Sequence, residues 1–115
     1  SSSKHAWVDG YLSKLNLTHF FRFTVCADDV ERAKPFPDLY LAAMEKMGVT
    51  PEQSLAFEDS PNGSHAAVSA GMTVFAIPNP VTSRLDISHA HWIIKDLTLV
   101  SLADIQEKFT SVNAG

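Results

Sequence analysis

Apolar residues at Val8, Tyr11, Leu12 and Leu15 recur at i, i+3, i+4 and i+7 and predict a helix over residues 4–15 with one apolar face. Gly10 lies inside that pattern, at a cost of about 1 kcal/mol relative to Ala. The period then changes. In "FRFTVCADD", Phe21, Phe23 and Val25 alternate with Arg22, Thr24 and Cys26, which predicts a strand over 21–27 with a polar end at Asp28-Asp29.

Lys34-Pro35-Phe36-Pro37-Asp38 is a rigid stretch, because each Pro fixes its own φ and pushes the residue before it toward extended geometry. It opens a helix whose apolar stripe is Tyr40, Ala43, Met44 and Met47, with Gly48 placed to end it. Thr50-Pro51-Glu52 turns the chain into "SLAF", a short strand running into Glu58-Asp59. Ser60 suits the cap of the next helix and Pro61 its first position, where a missing N–H is harmless. Ala66, Ala67, Ala70 and Gly71 give that helix a small face fit for close packing on a sheet. "MTVFAI" follows as a strand, then the loop "PNPVTSRLD", the short strand "WII", and a helix over about 101–109 carrying Leu102, Ile105 and Phe109.

Helices and short apolar strands thus alternate across short connections. The expected fold is α/β, a Rossmann-like parallel sheet flanked by helices on both faces. No internal repeat, low-complexity tract or linker interrupts it, and 115 residues make one domain.

Composition narrows the function classes. A net charge of −4 argues against nucleic acid, whose phosphates demand a Lys/Arg surplus. No apolar run approaches the roughly 18 residues of a membrane span. The single Cys26 cannot form an internal disulfide and reads as a buried free thiol, consistent with a reducing, cytoplasmic setting. "SSSKHAWVDG" shows no signal-peptide h-region. The chain opens on serines rather than Met, as a linker remnant or a chain cut in mid-protein would.

In open α/β sheets ligands bind at the carboxyl ends of strands. There this chain gathers Ser1-Ser2-Ser3 ahead of the first helix, Lys34 after the strand at 21–27, and Glu58-Asp59 after the strand at 54–57. A hydroxyl with the free N–H groups of a helix N-terminus binds phosphoryl oxygens. An ammonium neutralises a transferring phosphoryl group, and carboxylates hold Mg²⁺, which prefers oxygen ligands. Taken singly, each has a plainer reading: a helix cap, a solvated lysine, a turn with its cap.

The stretches "SSSKHAWVDGYLSKLNL", "AKPFPDLYLAAMEKMGV" and "LAFEDSPNGSHAAVSAG" resemble the second, third and fourth motifs of the haloacid dehalogenase-like hydrolase superfamily. Within it they look most like the subgroup of β-phosphoglucomutase and sugar-phosphate phosphatases. The K-P-x-P-D and E-D-S-x-x-G elements together carry the likeness, which runs over nearly the whole chain. It implies a Mg²⁺-dependent phosphatase of a small phosphorylated metabolite, working through a phospho-aspartyl intermediate. It also implies that Ser1 and the Ser2 backbone N–H bind the phosphoryl group, and that Lys34 bridges it to the nucleophile. Asp59 then falls on the metal ligand. Glu58 binds the metal directly, binds it through water, or only supports its neighbour. Asp38 is a helix-start residue with no catalytic part.

One departure matters more than the match. The family's nucleophile is the first Asp of a D-x-D motif, and this chain has none: Asp28 and Asp29 are adjacent, and Asp9 lies in a helical pattern. The resemblance therefore implies that residues 1–115 are the C-terminal portion of the core, lacking the nucleophile strand and the cap domain. Since that strand is central in the family sheet, the portion is expected to need the missing N-terminal part, or a second copy, to complete its edges. A phosphoglucomutase and a non-catalytic module retaining the fold are the competing readings. His89 and His91 read as surface histidines rather than a metal pair, and Trp7, Phe20, Phe21 and Phe23 as core.

Overall fold

The computed structural model describes residues 1–114. Three parallel strands form its sheet: β1 (Leu55–Glu58), β2 (Thr73–Ala76) and β3 (Trp92–Ile93), in the order β1-β2-β3. The register pairs Ala56 with Val74, Phe57 with Phe75, Glu58 with Ala76, and Phe75 with Trp92. Four helices accompany the sheet: α1 (His5–Lys14), α2 (Asp38–Met47), α3 (Pro61–Ser69) and α4 (Leu102–Asn113).

The side-chain period of two sorts the sheet faces. Ala56 and Val74 point to the face covered by α2 and α3, where Met44, Ala67, Ala70 and Met72 close one core cluster. The small face of α3 lets it sit close, and Ala66 and Ala67 have no exposed surface. On the other face Phe75 meets Phe57 edge-on, with ring centroids 5.8 Å apart. α4 reaches this side through Asn113, whose amide donates to Thr73 Oγ1 at 3.0 Å, and through Lys108 over the Trp92 ring. β2 is buried along its whole length, as the middle strand of such a layering must be.

The local signals for the helices hold with small shifts. Ser60 Oγ accepts from Gly63 N and Pro61 takes the first position of α3. Gly48 and Gly71 both take left-handed φ (69° and 85°), which an L side chain resists, and both end helices. Gly71 is therefore outside α3 rather than part of its small face. α4 runs to Asn113, past the expected 109, from a capping box in which Ser101 and Asp104 satisfy each other's backbone N–H.

The N-terminal third departs from expectation. Residues 21–26 run extended at both ends, yet no strand forms there among the described residues. Trp7, Phe20 and Phe21 are not core: they are 59%, 72% and 53% exposed, and only Phe23 is half-buried. The apolar stripe of α1 likewise has no fully buried residue. Periodicity identifies the face an element wants to bury. It does not supply the surface that buries it, and among the described residues no strand of the sheet pairs with this segment. β1 pairs only with β2 among the described residues, so its other edge is open. Among the described residues, no helix is long and apolar enough to cross a membrane.

Candidate active site

β1 ends by delivering Glu58 into the fold. Its residue is only 7% exposed, and a carboxylate that far from water needs partners. Oε1 receives both: Lys34 Nζ at 2.5 Å and the Tyr40 hydroxyl. The opposite oxygen, Oε2, packs on the backbone of Gly63, where an added Cβ would lie 1.8 Å away. Lys34 also stands 5.1 Å from the centre of the Tyr40 ring. Burial, followed by the adjacent Glu58 carboxylate, pushes the Tyr40 phenol well above its ordinary range, so it stays a donor.

Lys34 is carried here by the proline-framed stretch that starts α2. The Lys34–Pro35 peptide is cis, Pro37 sits at the cap position, and Asp38 opens the helix while pairing with Arg32 at 3.0 Å. Asp38 thus serves as the helix-start residue its position suggested.

Asp59, one residue beyond the strand, is exposed. Its Oδ2 accepts from the Asn79 amide at 3.1 Å, and no protein donor meets Oδ1 among the described residues. Asn79 follows β2 as Asp59 follows β1, so register brings the two strand ends together. The Asn79 side chain is itself fixed: its Oδ1 accepts from Val81 N and Thr82 N, both at 2.9 Å, and from Thr82 Oγ1 at 3.1 Å. Those three donors leave only the amide N–H₂ to face Asp59.

Ser1 completes the rim. Its backbone nitrogen donates to Val25 O at 2.7 Å, and its hydroxyl accepts from Ser3 N at 3.1 Å. An open cleft of about 480 Å³ is lined by Ser1, Lys34, Tyr40, Phe57, Glu58, Asp59 and Ile77. Four of the five residues singled out in the sequence therefore share one cavity. The fifth, Ser2, is exposed and does not line it.

Oxygen donors at this rim fit a hard cation. Asp59 presents a free carboxylate oxygen to the cleft, whereas Glu58 already spends one oxygen on Lys34 and Tyr40. The sequence pattern did not single out Tyr40, Gly63 or Asn79 as site residues. Tyr40 counted only toward an apolar stripe, Gly63 was one letter of a motif, and Asn79 belonged to a loop. His89 and His91 do not act as a pair: His89 stacks on His65 with centroids 3.7 Å apart, and His91 Nδ1 accepts from Val74 N at 2.9 Å.

The parallel sheet and the cleft at the carboxyl end of β1 define an α/β core of the kind that binds ligands at its strand ends. The chain belongs to the haloacid dehalogenase-like hydrolase family, whose model matches residues 1–77. YhcW of Bacillus subtilis (strain 168), assigned as a phosphatase, is 45% identical over 107 residues, covering 90% of this chain and 49% of that protein. The fructose-1-phosphate phosphatase YqaB of Escherichia coli (strain K12) is 42% identical over 72 residues, covering 63% of this chain and 38% of its own. Among solved structures, β-phosphoglucomutase of Clostridium difficile superposes with a TM-score of 0.86 at 24% identity, over 100% of this chain and 49% of that one. That likeness shows the fold. The chain spans about half the length, or less, of the relatives it matches.

Proposed function

We propose that this chain contributes the phosphate-binding and metal-binding half of a Mg²⁺-dependent phosphatase that hydrolyses a small phosphorylated metabolite. The observation that carries the reading is the convergence of Ser1, Lys34, Glu58 and Asp59 on one cleft at the carboxyl end of β1. The phosphatase relatives, one of them named for fructose 1-phosphate, support the substrate class.

Each residue has a definite task. The Ser1 hydroxyl, which lines the cleft, holds a phosphoryl oxygen near the start of α1. Lys34 has three N–H donors. One is held by Glu58, so the ammonium is aimed, and the others are free to neutralise charge on the transferring group. Glu58 is the orienting carboxylate of Lys34 and a supporting neighbour of the metal position. Asp59 would hold Mg²⁺ through the oxygen that Asn79 leaves free, with Asn79 fixing the carboxylate plane. When bound, the cation supplies charge neutralisation on the phosphate being transferred.

The attacking group is a carboxylate from outside these residues, since the chain holds no D-x-D. It forms a phospho-aspartyl intermediate that water then discharges. The test uses the intact protein with small sugar phosphates, with and without a sugar bisphosphate. Mg²⁺-dependent phosphate release that disappears in Asp59→Asn and Lys34→Met is the expected result. Isomerised sugar phosphate in place of released phosphate would assign a mutase. Turnover unaffected by either substitution would remove the site assignment.

A further inference from the structure

A second cluster of ligating side chains lies outside the cleft, where the first turn of α1 meets the turn Ala27–Asp29. One donor atom each from His5, Cys26 and Asp28 lies within 4.8 Å of the others. Tetrahedral bonds of about 2.0–2.3 Å set ligand atoms roughly 3.3–3.8 Å apart, so the three side chains close in by about 1 Å on an ion. The backbone holds the three in place. Ala27 N donates to Ser3 O at 2.9 Å, and the Asp28 carboxylate faces His5 N at 3.1 and 3.3 Å.

The imidazole is already arranged as a ligand. Its Nδ1 lies 2.8 Å from Asp9 Oδ2, and Thr24 Oγ1 steadies Asp9 at 2.7 Å. A carboxylate on one ring nitrogen fixes the tautomer and leaves the other nitrogen for a cation. That nitrogen, Nε2, now bonds Asp29. Asp9 and Asp29 therefore flank the imidazole, Asp28 accepts from the His5 backbone N, and Cys26 is buried with no exposed surface. The carboxylates face solvent and give an ion its way in.

We propose that His5, Cys26 and Asp28 form a binding site for a thiophilic divalent cation of the zinc class, with Asp29 or water at the fourth position. The donor set decides the class. Sulfur, nitrogen and oxygen together suit Zn²⁺ or Co²⁺, whereas Mg²⁺ takes oxygen alone and stays with Asp59. On binding, the cation replaces the Cys26 thiol proton and the Nε2 proton, both released to solvent. No redox step is involved. The bound ion fastens the first turn of α1, which follows Ser1–Ser3, to the 26–29 turn. The proposal is independent of the phosphatase reading.

Cobalt titration of the reduced, metal-free intact protein tests it. One equivalent of Co²⁺ should produce thiolate-to-cobalt charge-transfer absorption, bleached by Zn²⁺ and untouched by excess Mg²⁺. Cys26→Ser should abolish the band, and His5→Ala or Asp28→Asn should weaken Co²⁺ binding at least tenfold. No band, or a band that survives in Cys26→Ser, overturns the proposal. If Cys26→Ser does not fold, the two exposed-side variants decide, and parental Co²⁺ affinity in both overturns it.

Discussion

A Cβ on Gly63 would stand 1.8 Å from Oε2 and 2.2 Å from Cδ of Glu58. Gly63 is therefore the floor of the Glu58 pocket, and the carboxylate that Lys34 and Tyr40 hold on one side rests on bare backbone on the other. Two effects of opposite sign meet at this residue. Replacing a helical Gly with Ala ordinarily gains up to about 1 kcal/mol. Here the new methyl meets the side chain of a buried, doubly bonded carboxylate, and overpacking of that kind costs about 1–3 kcal/mol. Gly63→Ala should be destabilising in a urea titration of the intact protein and, under the proposed function, should reduce Mg²⁺ affinity as well. A stabilised variant would mean that Glu58 moves aside freely.

The Lys34–Glu58 pair makes a second prediction. The Lys34 side chain is 20% exposed and that of Glu58 is 5% exposed. Lys34→Met leaves a buried carboxylate with Tyr40 alone, and breaking a buried pair in this way costs about 3 kcal/mol. Pairing it with Glu58→Gln removes the stranded charge, so the double variant should lose less than the sum of the two singles. Additive losses in denaturant melts would show that the two groups do not sense each other.

These two relationships also mark how far the sequence could be read. The alternation of helices and strands after residue 27 and the Ser60–Pro61 start of α3 follow from signals within a few residues of each position, whereas the gathering of Ser1, Lys34, Glu58 and Asp59 rests on the strand-end rule and the family motifs. Caps, prolines and apolar periods are local. Gly63 beneath Glu58, and Asn79 across from Asp59, depend on which strand ends lie side by side, and only sheet register supplies that. The strand expected over 21–27 has the opposite lesson. Its alternation is sound, but its backbone meets the Ser1–Ser3 stretch, and among the described residues no strand of the sheet pairs with it. Trp7, Phe20 and Phe21 came out exposed for the same reason.

Asn79 should govern the metal more than the phosphate. Its amide donates to Asp59 Oδ2, and its carbonyl oxygen is held by three donors from the turn that follows. Under the proposed function, Asn79→Ala should raise the Mg²⁺ concentration for half-maximal activity about 10-fold while leaving inhibition by inorganic phosphate nearly constant. Equal losses in both would mean that the loop as a whole had collapsed and that Asn79 has no particular hold on Asp59.

The start of α4 carries a pH dependence whose sign can be stated. Ser101 N donates to Asp104 Oδ2 at 2.8 Å, and this bond, followed by that from the Ser101 hydroxyl, holds the Asp104 carboxyl below its ordinary range. A folded-state value lower than the unfolded one gives stability that is fully present above the unfolded value of 3.8 and lost as pH falls through the folded value. Acid should therefore fray α4 at its first turn, seen as faster amide exchange at residues 103–105. Asp104→Asn should flatten that pH response, and Ser101→Ala should cost about 1 kcal/mol at neutral pH. A response unchanged in Asp104→Asn would assign it elsewhere.

Residues 1–115 by themselves should not behave as a stable monomer. β1 has a partner on one edge only, its Phe57 is 45% exposed, and the segment over 21–26 runs extended without joining the sheet. An open, apolar edge on a parallel strand is a pairing surface rather than a solvated boundary. The aromatic side chains of Trp7, Phe20 and Phe21 add apolar area on the same N-terminal third. The isolated polypeptide is expected to associate with copies of itself, or to melt without a sharp transition. Under the proposed function, adding the part of the protein that supplies the nucleophile in trans should restore a cooperative melt. Sedimentation and calorimetry of the 115-residue chain decide the matter, and a monomer with a single cooperative transition would show that the open edge costs the fold nothing.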